Sequence, residues 1–334
     1  MATECRRPAS RWLGALGALL AASLLLAASP SALAARAAPA TPAPATPATP
    51  AQAGPGLGAA AAKRAICTAA TKRYRRDAAR MSREISAVLR PRSSVVALAA
   101  ADGRTRITCG LRSGWHFHSA SIVKVLILAT LLHDLAVRHE HLSHRDVVLT
   151  TEMITESDND AATALWDADG IANLQHFLDL ARMKHTVLGV AHWGLTEVTA
   201  QDEMTLLRLL AVRNRVLDRP SRDYALMLMA DVIPSQRWGV PAGTPAGVKV
   251  HLKNGWLPDP ELWVINSIGV FTQPHRVYRI VILTRDNPDM DYGVDTVQDL
   301  AEVINRGYNP GRKPAVAASR PFPSWGIPDE HLPG

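Results

Sequence analysis

Cysteine is scarce in this chain, with three residues in 334. None follows the N-terminal apolar run closely enough to serve as a lipoprotein site. No carboxylate–histidine pattern of a zinc motif surrounds His139, His141 and His144, so no metal is expected there. No cofactor is expected either. A basic motif interleaved with aromatics is also missing, which argues against nucleic acid as a partner despite a formal net charge of +7. The basic residues are spread along the chain. Their densest cluster, Lys72-Arg73-Tyr74-Arg75-Arg76, falls on a predicted helix and reads as a solvated face. Attraction to anionic cell-envelope polymers is a milder consequence of the same charge. No internal repeat is present. What the chain does have is 47% hydrophobic and 20% charged residues, the balance of a globular core.

The N-terminus has the form of an export signal. Arg6, Arg7 and Arg11 precede an apolar run from Trp12 to Ala28, and Ala32-Leu33-Ala34 is a small-x-small cleavage pattern. Residues 1–34 are therefore expected to be cleaved, leaving no stable membrane span, with a retained anchor as the alternative. The mature protein would be secreted or associated with the cell envelope. Residues 35–62 are an Ala/Pro/Thr-rich linker that has no means of building a core. A folded domain is expected over 63–309, acting as a monomer, followed by a Pro-rich disordered tail over 310–334. Cys5 leaves with the signal. Cys67 and Cys109 remain as a pair in an oxidising setting, either bridged or as two buried thiols. A bridge would close a loop of roughly forty residues and contribute about 4 kcal/mol.

Within the domain, Ala65 to Leu89 is helical in composition and Pro91 ends that helix. Ser94 to Ala101 and Arg104 to Leu111 form a hairpin around Asp102-Gly103. Helices follow over Asp146 to Glu156, Ala161 to Trp166 and Asn173 to Met183, then an irregular stretch from Lys184 to Val198. Thr199 opens a further helix, with Asp202 completing a capping-box pattern, and another helix starts at Ser221. The last third alternates in period two. Gly247 to Leu252, Trp263 to Phe271 and Arg276 to Thr284 are strands, and Asp295 to Asn305 is a closing helix. Strands on either side of a helical block can join in one antiparallel sheet. The predicted class is α+β, with that sheet flanked by the terminal helices and an all-helical lobe beside it.

One stretch breaks its own pattern. From Ser121 to Leu132 the chain reads as a helix buried on most sides, yet Lys124 stands among Ile122, Val123, Val125 and Leu126. A lysine buried without a partner is costly. Ser121 lies one turn earlier on the same face. Either Ser121 caps the helix and Lys124 snorkels to water, or the two are a nucleophile and its base. Ser157-Asp158-Asn159 alone is an ordinary inter-helix turn. Lys253-Asn254-Gly255 alone would be a hairpin turn, except that Pro258 and Pro260 bar Trp256 to Pro260 from being the returning strand. The reversal belongs at Leu257 to Glu261, which leaves Lys253 at the end of a strand. Gly255, without a side chain, would let a ligand approach the backbone.

Taken in order, Ser121-Ile122-Val123-Lys124, Ser157-Asp158-Asn159 and Lys253-Asn254-Gly255 resemble the serine β-lactamases and penicillin-binding proteins, and class A β-lactamases most. The resemblance covers about Lys63 to Tyr308 and implies that the motifs converge in a cleft between the lobes. It implies that Ser121 attacks a carbonyl, that Lys124 takes its proton and that Ser157 relays a proton to the leaving nitrogen. Asn159 would hold Lys124 and the substrate amide. Lys253 and Asn254 would face a substrate carboxylate, and the backbone N–H groups of Ser121 and Trp256 would form the oxyanion hole. The substrates implied are β-lactams, or cell-wall peptides for a D,D-peptidase-like relative. A non-catalytic module binding peptidoglycan or β-lactams is the reading outside enzymology. The chain departs from the pattern at three places. Asn254 replaces the usual Thr or Ser. The separation of Ser121 from Ser157 is short for a class A enzyme. The segment Gly189-Val190-Ala191-His192-Trp193-Gly194-Leu195 carries no carboxylate where class A enzymes carry the glutamate that activates the deacylating water.

Overall fold

Alternation along the strands creates two separate cores. The computed structural model describes residues 65–258 and 262–316. All of these belong to the second of two units into which the chain divides, Ala61–Gly334. The segments expected to be an export signal and a linker, and residues 317–334, lie outside the described residues.

The sheet begins earlier than the sequence suggests. Cys67–Ala69 forms β1, and only after a 3-10 turn over Lys72–Tyr74 does α1 run over Arg75–Leu89. The helix expected from Ala65 is corrected accordingly. Cys67 lies directly opposite Cys109 in the antiparallel pair, and the two are bridged by a disulfide. β2 is Val95–Asp102, β3 Ile107–Leu111 and β4 His116–His118. After them α2 spans Lys124–Arg138, α3 His144–Thr151 and α4 Asn159–Ala181. The two helices predicted on either side of Asp167 form this one element, interrupted at Gly170, whose φ of 73° only glycine adopts readily. β5 is Glu197–Thr199, α5 Ala200–Ala211 and α6 Arg219–Ala230; β6 is Lys249–Pro258, β7 Trp263–Gln273, β8 Arg276–Asn287 and α7 Met290–Tyr308.

Six strands make one antiparallel sheet in the order β1-β3-β2-β8-β7-β6, and β4 pairs with β5 in a separate ribbon. Val96, Leu98, Ala100, Ile280 and Ile282 project to one face and pack on Met81 and Ile85 of α1 and Val297, Leu300 and Ile304 of α7. Ala97, Ala99, Val281 and Leu283 project to the other and meet the helical lobe of α2, α4, α5 and α6. The period of two thus assigns every second residue to a different core. Ala120–Arg138, which is α2 with its 3-10 lead-in, is the one helix among the described residues long and apolar enough to cross a membrane, but it is the buried centre of this lobe. At the far end the domain runs past Asn309. Ala315 and Val316 donate their N–H groups to the Thr244 carbonyl, so residues 310–316 belong to the fold rather than to a disordered tail.

Candidate active site

The lead-in to α2 is fixed before any chemistry is considered. After β4, Ala120 adopts a left-handed φ of 47° and Ala120–Val123 forms a 3-10 turn that passes into α2. A non-glycine residue in that region is strained and persists only where its surroundings impose it. Here they do. Ser119 N–H donates to the Thr196 carbonyl at 2.8 Å, and the Asn266 amide donates to the carbonyls of His118 at 2.8 Å and Ser119 at 3.1 Å. Behind the turn passes β6. A Cβ on Gly255 would lie 2.8 Å from the Ser121 nitrogen and 2.9 Å from the Ser119 oxygen. Gly255 therefore admits the backbone of Ser119 and Ser121, where the sequence suggested a ligand. Ser121 is half-buried at this junction.

Lys124 does not snorkel. It is fully buried, and its Nζ donates to the Ser157 carbonyl at 2.7 Å and to Asn159 Oδ1 at 2.5 Å, with Ser157 Oγ at 3.3 Å. The Ser157-Asp158-Asn159 stretch is both a turn and a set of hydrogen-bond acceptors for this amine. Ser157, at φ 63°, ends a single π-helical turn over Glu152–Glu156, and Asp158 caps α4 by accepting from Ala161 N–H at 2.7 Å. Gln236 steadies the turn by donating to the Glu156 carbonyl at 2.7 Å.

Lys253 reaches the same hydroxyl from the sheet. It is fully buried, and its Nζ donates to Ser157 Oγ at 2.9 Å and to the Asn254 carbonyl at 3.1 Å. Burial, and then the nearby Lys124, hold Lys253 well below the ordinary lysine range. An arriving carboxylate would favour the ammonium again. Ser157 Oγ thus sits between two amines, where a hydroxyl is able to accept one proton and pass on another.

Asn254 is elsewhere. Its Nδ2 donates to the carbonyls of Gln236 at 2.8 Å and Trp238 at 3.0 Å, and its Oδ1 accepts from Ser267 at 2.6 Å. Both amide protons are engaged and the residue is buried, so the expected contact with a substrate carboxylate is corrected: Asn254 fastens the strand to the Gln236–Trp238 turn. Trp256 is half-buried, its ring 5.9 Å from that of Trp238. It lies on β6, an outer strand of the sheet.

The irregular stretch before α5 contributes a residue that the motifs do not name. Trp193 lies over Lys124, its ring centroid 4.6 Å from Nζ. Thr199 caps α5 as expected, accepting from Asp202 N–H, but the Asp202 carboxylate turns to His185 N–H and Thr186 instead of closing a capping box. Among the described residues, no group of three or more His, Cys, Asp or Glu is placed to hold a metal ion. A cavity of about 540 Å³ opens at the other end of α2, beside Leu135, His139, His141 and Tyr224, and touches none of the candidate residues.

Asn266 and Gln236 also escaped the sequence reading. A signal for Asn266 was present, a polar Asn266-Ser267 pair inside the apolar run of β7.

The model of the beta-lactamase enzyme family matches residues 139–308, half of the chain. This chain belongs to that family. The matched span opens beyond Ser121 and Lys124 and takes in Ser157, Asn159 and Lys253. No curated protein matches the chain. Among solved structures, a β-lactamase from Sphaerobacter thermophilus is 16% identical with a TM-score of 0.60, covering 69% of this chain and 97% of that one. A class A β-lactamase from Bacteroides cellulosilyticus is 16% identical with a TM-score of 0.60, over 69% and 97%. A mutant of PBP-A, solved as an acyl-enzyme complex with penicillin G, is 16% identical with a TM-score of 0.59, over 69% and 96%. These likenesses establish the β-lactamase fold. Family and fold agree with the α+β class and the split arrangement of sheet and helical lobe read from the sequence.

Proposed function

We propose that this chain is an exported serine hydrolase that forms an acyl-enzyme at Ser121 with β-lactam-type substrates. The observation that carries the reading is Lys124, an amine fully buried in an aliphatic helix and held by Ser157 and Asn159 one turn from Ser121. A binding module has no need of such a group. In the proposed reaction Ser121 Oγ attacks the substrate carbonyl carbon and its proton passes to Lys124 Nζ. The developing oxyanion takes the backbone N–H groups of Ser121 and Trp256, each worth about 3 kcal/mol at the transition state. The C–N bond then breaks, and the nitrogen receives a proton through Ser157, whose oxygen lies 3.3 Å from Lys124 and 2.9 Å from Lys253.

A second reading, a D,D-peptidase-like enzyme acting on cell-wall peptides, is favoured by two observations. The segment from Gly189 to Leu195 carries no carboxylate to activate a deacylating water. β6 is also an outer strand beside the nucleophile turn, and such an edge accepts an extended peptide.

The test is intact mass and peptide mapping of the domain after incubation with a penicillin. The expected result is one covalent adduct, on Ser121, absent in Ser121→Ala. A persistent adduct favours the penicillin-binding reading, and rapid turnover favours the β-lactamase reading. No adduct and no penicillin consumption would exclude both for that substrate.

A further inference from the structure

Lys124 donates to Ser157 and Asn159, and its amine also faces an indole. That ring leaves no room for a solvent molecule between. A water there would need about 3 Å to the nitrogen and about as much again to the ring face, more than the 4.6 Å available. Trp193 is itself buried, with 6% of its surface exposed.

The indole is held in place from several directions. Its Nε1 donates to Thr163 Oγ1 at 3.1 Å, which ties it to α4, the helix that presents Asn159. The turn carrying it closes through Leu195 N–H to the His192 carbonyl at 3.0 Å and Thr196 N–H to the Trp193 carbonyl at 3.1 Å. The same turn holds the nucleophile's lead-in, because the Gly194 carbonyl accepts from Ser119 Oγ and the Thr196 carbonyl from Ser119 N–H. At its base Val187 and Glu197 exchange N–H to carbonyl bonds at 2.9 and 2.8 Å. Gly189 lets the chain cross itself there: a Cβ would lie 2.4 Å from the His192 oxygen and 2.7 Å from the Thr196 nitrogen. The segment is a pinned wall rather than a lid.

We propose that Trp193 is a positioning residue that closes the water side of Lys124, so that this amine serves acylation of Ser121 and not hydrolysis of the acyl group. The inference rests on the acyl-enzyme reading above. Hydrolysis of acyl-Ser121 requires a water oxygen to attack the ester carbonyl carbon while a base takes the water's proton. The bond from that carbon to Ser121 Oγ then breaks, and Oγ recovers a proton. A base acts within hydrogen-bond reach, about 3 Å between heavy atoms, or through one intervening water. The indole keeps water beyond that distance on its side of Lys124, and no side chain from Gly189 to Leu195 offers a carboxylate in its place. The acyl group is thereby kept for an acceptor other than water, or simply retained.

The experiment follows the penicillin adduct by intact mass in the wild-type domain and in Trp193→Phe, Trp193→Ala and Gly189→Ala. Acylation and adduct loss are timed separately, and folding is checked by thermal melting. Trp193→Ala should lose its adduct about a hundredfold faster or more, within the range that access to a general base gives. Trp193→Phe, which keeps a ring face but not the Thr163 bond, should fall between it and the wild type. Gly189→Ala, which displaces the wall without touching Lys124, should shift in the same direction. Acylation and adduct loss that slow together, in step with a lowered melting temperature, would reduce Trp193 to a packing residue and overturn the inference. Adduct loss unchanged in all three folded variants would also overturn it. A wild-type domain that forms no adduct would bring down the acyl-enzyme reading itself, a separate result visible before any variant is made.

Discussion

The two faces of the sheet treat buried charge differently. On the face covered by α1 and α7, Asp102 meets Arg276 at 3.0 Å, and the guanidinium also donates to Asn309 Oδ1 and the Tyr308 carbonyl. Burial pushes Asp102 up, but Arg276 and Thr105 outweigh it and hold the carboxyl below its ordinary value. Facing the helical lobe are two buried lysines that share one hydroxyl, together with Glu203 and Asp169, each with a carboxylate oxygen that has no hydrogen-bond partner among the described residues. Burial, and then Asp202, push Glu203 from 4.5 up to about 8; burial, and then Asp134, push Asp169 from 3.8 up to about 8. On the first face the buried charge has its counter-charge and serves the fold. The other holds buried ionisable groups away from their ordinary titration ranges, the kind of arrangement in which a candidate functional site is sought.

The contrast is broken most sharply by Lys124→Met. It keeps the length and apolar stem of the side chain and removes the amine. Acylation by penicillin should fall about a thousandfold, within the range for losing a general base, as measured by stopped-flow or timed mass spectrometry. On the opposite face, Asp102→Asn should leave acylation per folded molecule unchanged. It should lower the unfolding free energy by about 3 kcal/mol or more, because Arg276 stays buried without its counter-charge. Urea melts measured beside acylation rates separate the two outcomes.

Asn254→Thr restores the residue usual in the family but loses two amide bonds to the carbonyls of Gln236 and Trp238. Stability should drop by about 1–3 kcal/mol, the cost of leaving buried acceptors unpaired. A gain in penicillin acylation without loss of stability would return Asn254 to the substrate side.

The contrast also has a pH dependence. Glu203 binds its proton more tightly folded than unfolded. The folded state therefore carries more protons between pH 4.5 and about 8, and stability should decline as pH rises through that window. Glu203→Gln should flatten the decline in melts recorded across it. An unchanged slope would mean that Asp169 or another group carries it.

Much of this was legible in the sequence because it rests on period and composition. The alternation of β6 alone places Lys253 on one face and Asn254 on the other with Val250 and Leu252. That same rule would have turned Asn254 away from the substrate, had the motif not drawn attention to its chemistry. Lys124 stood out because an amine in an aliphatic helix has few explanations. β1 was hidden because three residues before a helix carry too little pattern to show a strand, and only the register opposite Cys109 reveals it. Trp193 was hidden for a different reason. Its partner is 69 positions away in the chain, and the intervening stretch follows no repeat that would bring indole and amine together.

The proposed site should acylate readily and hydrolyse slowly. Its most direct test is a pre-steady-state burst with a chromogenic β-lactam. The prediction is rapid opening of about one equivalent of substrate per active site, followed by a much slower steady phase, with the burst lost in Ser121→Ala. A linear time course of many turnovers with no burst and no adduct would contradict it.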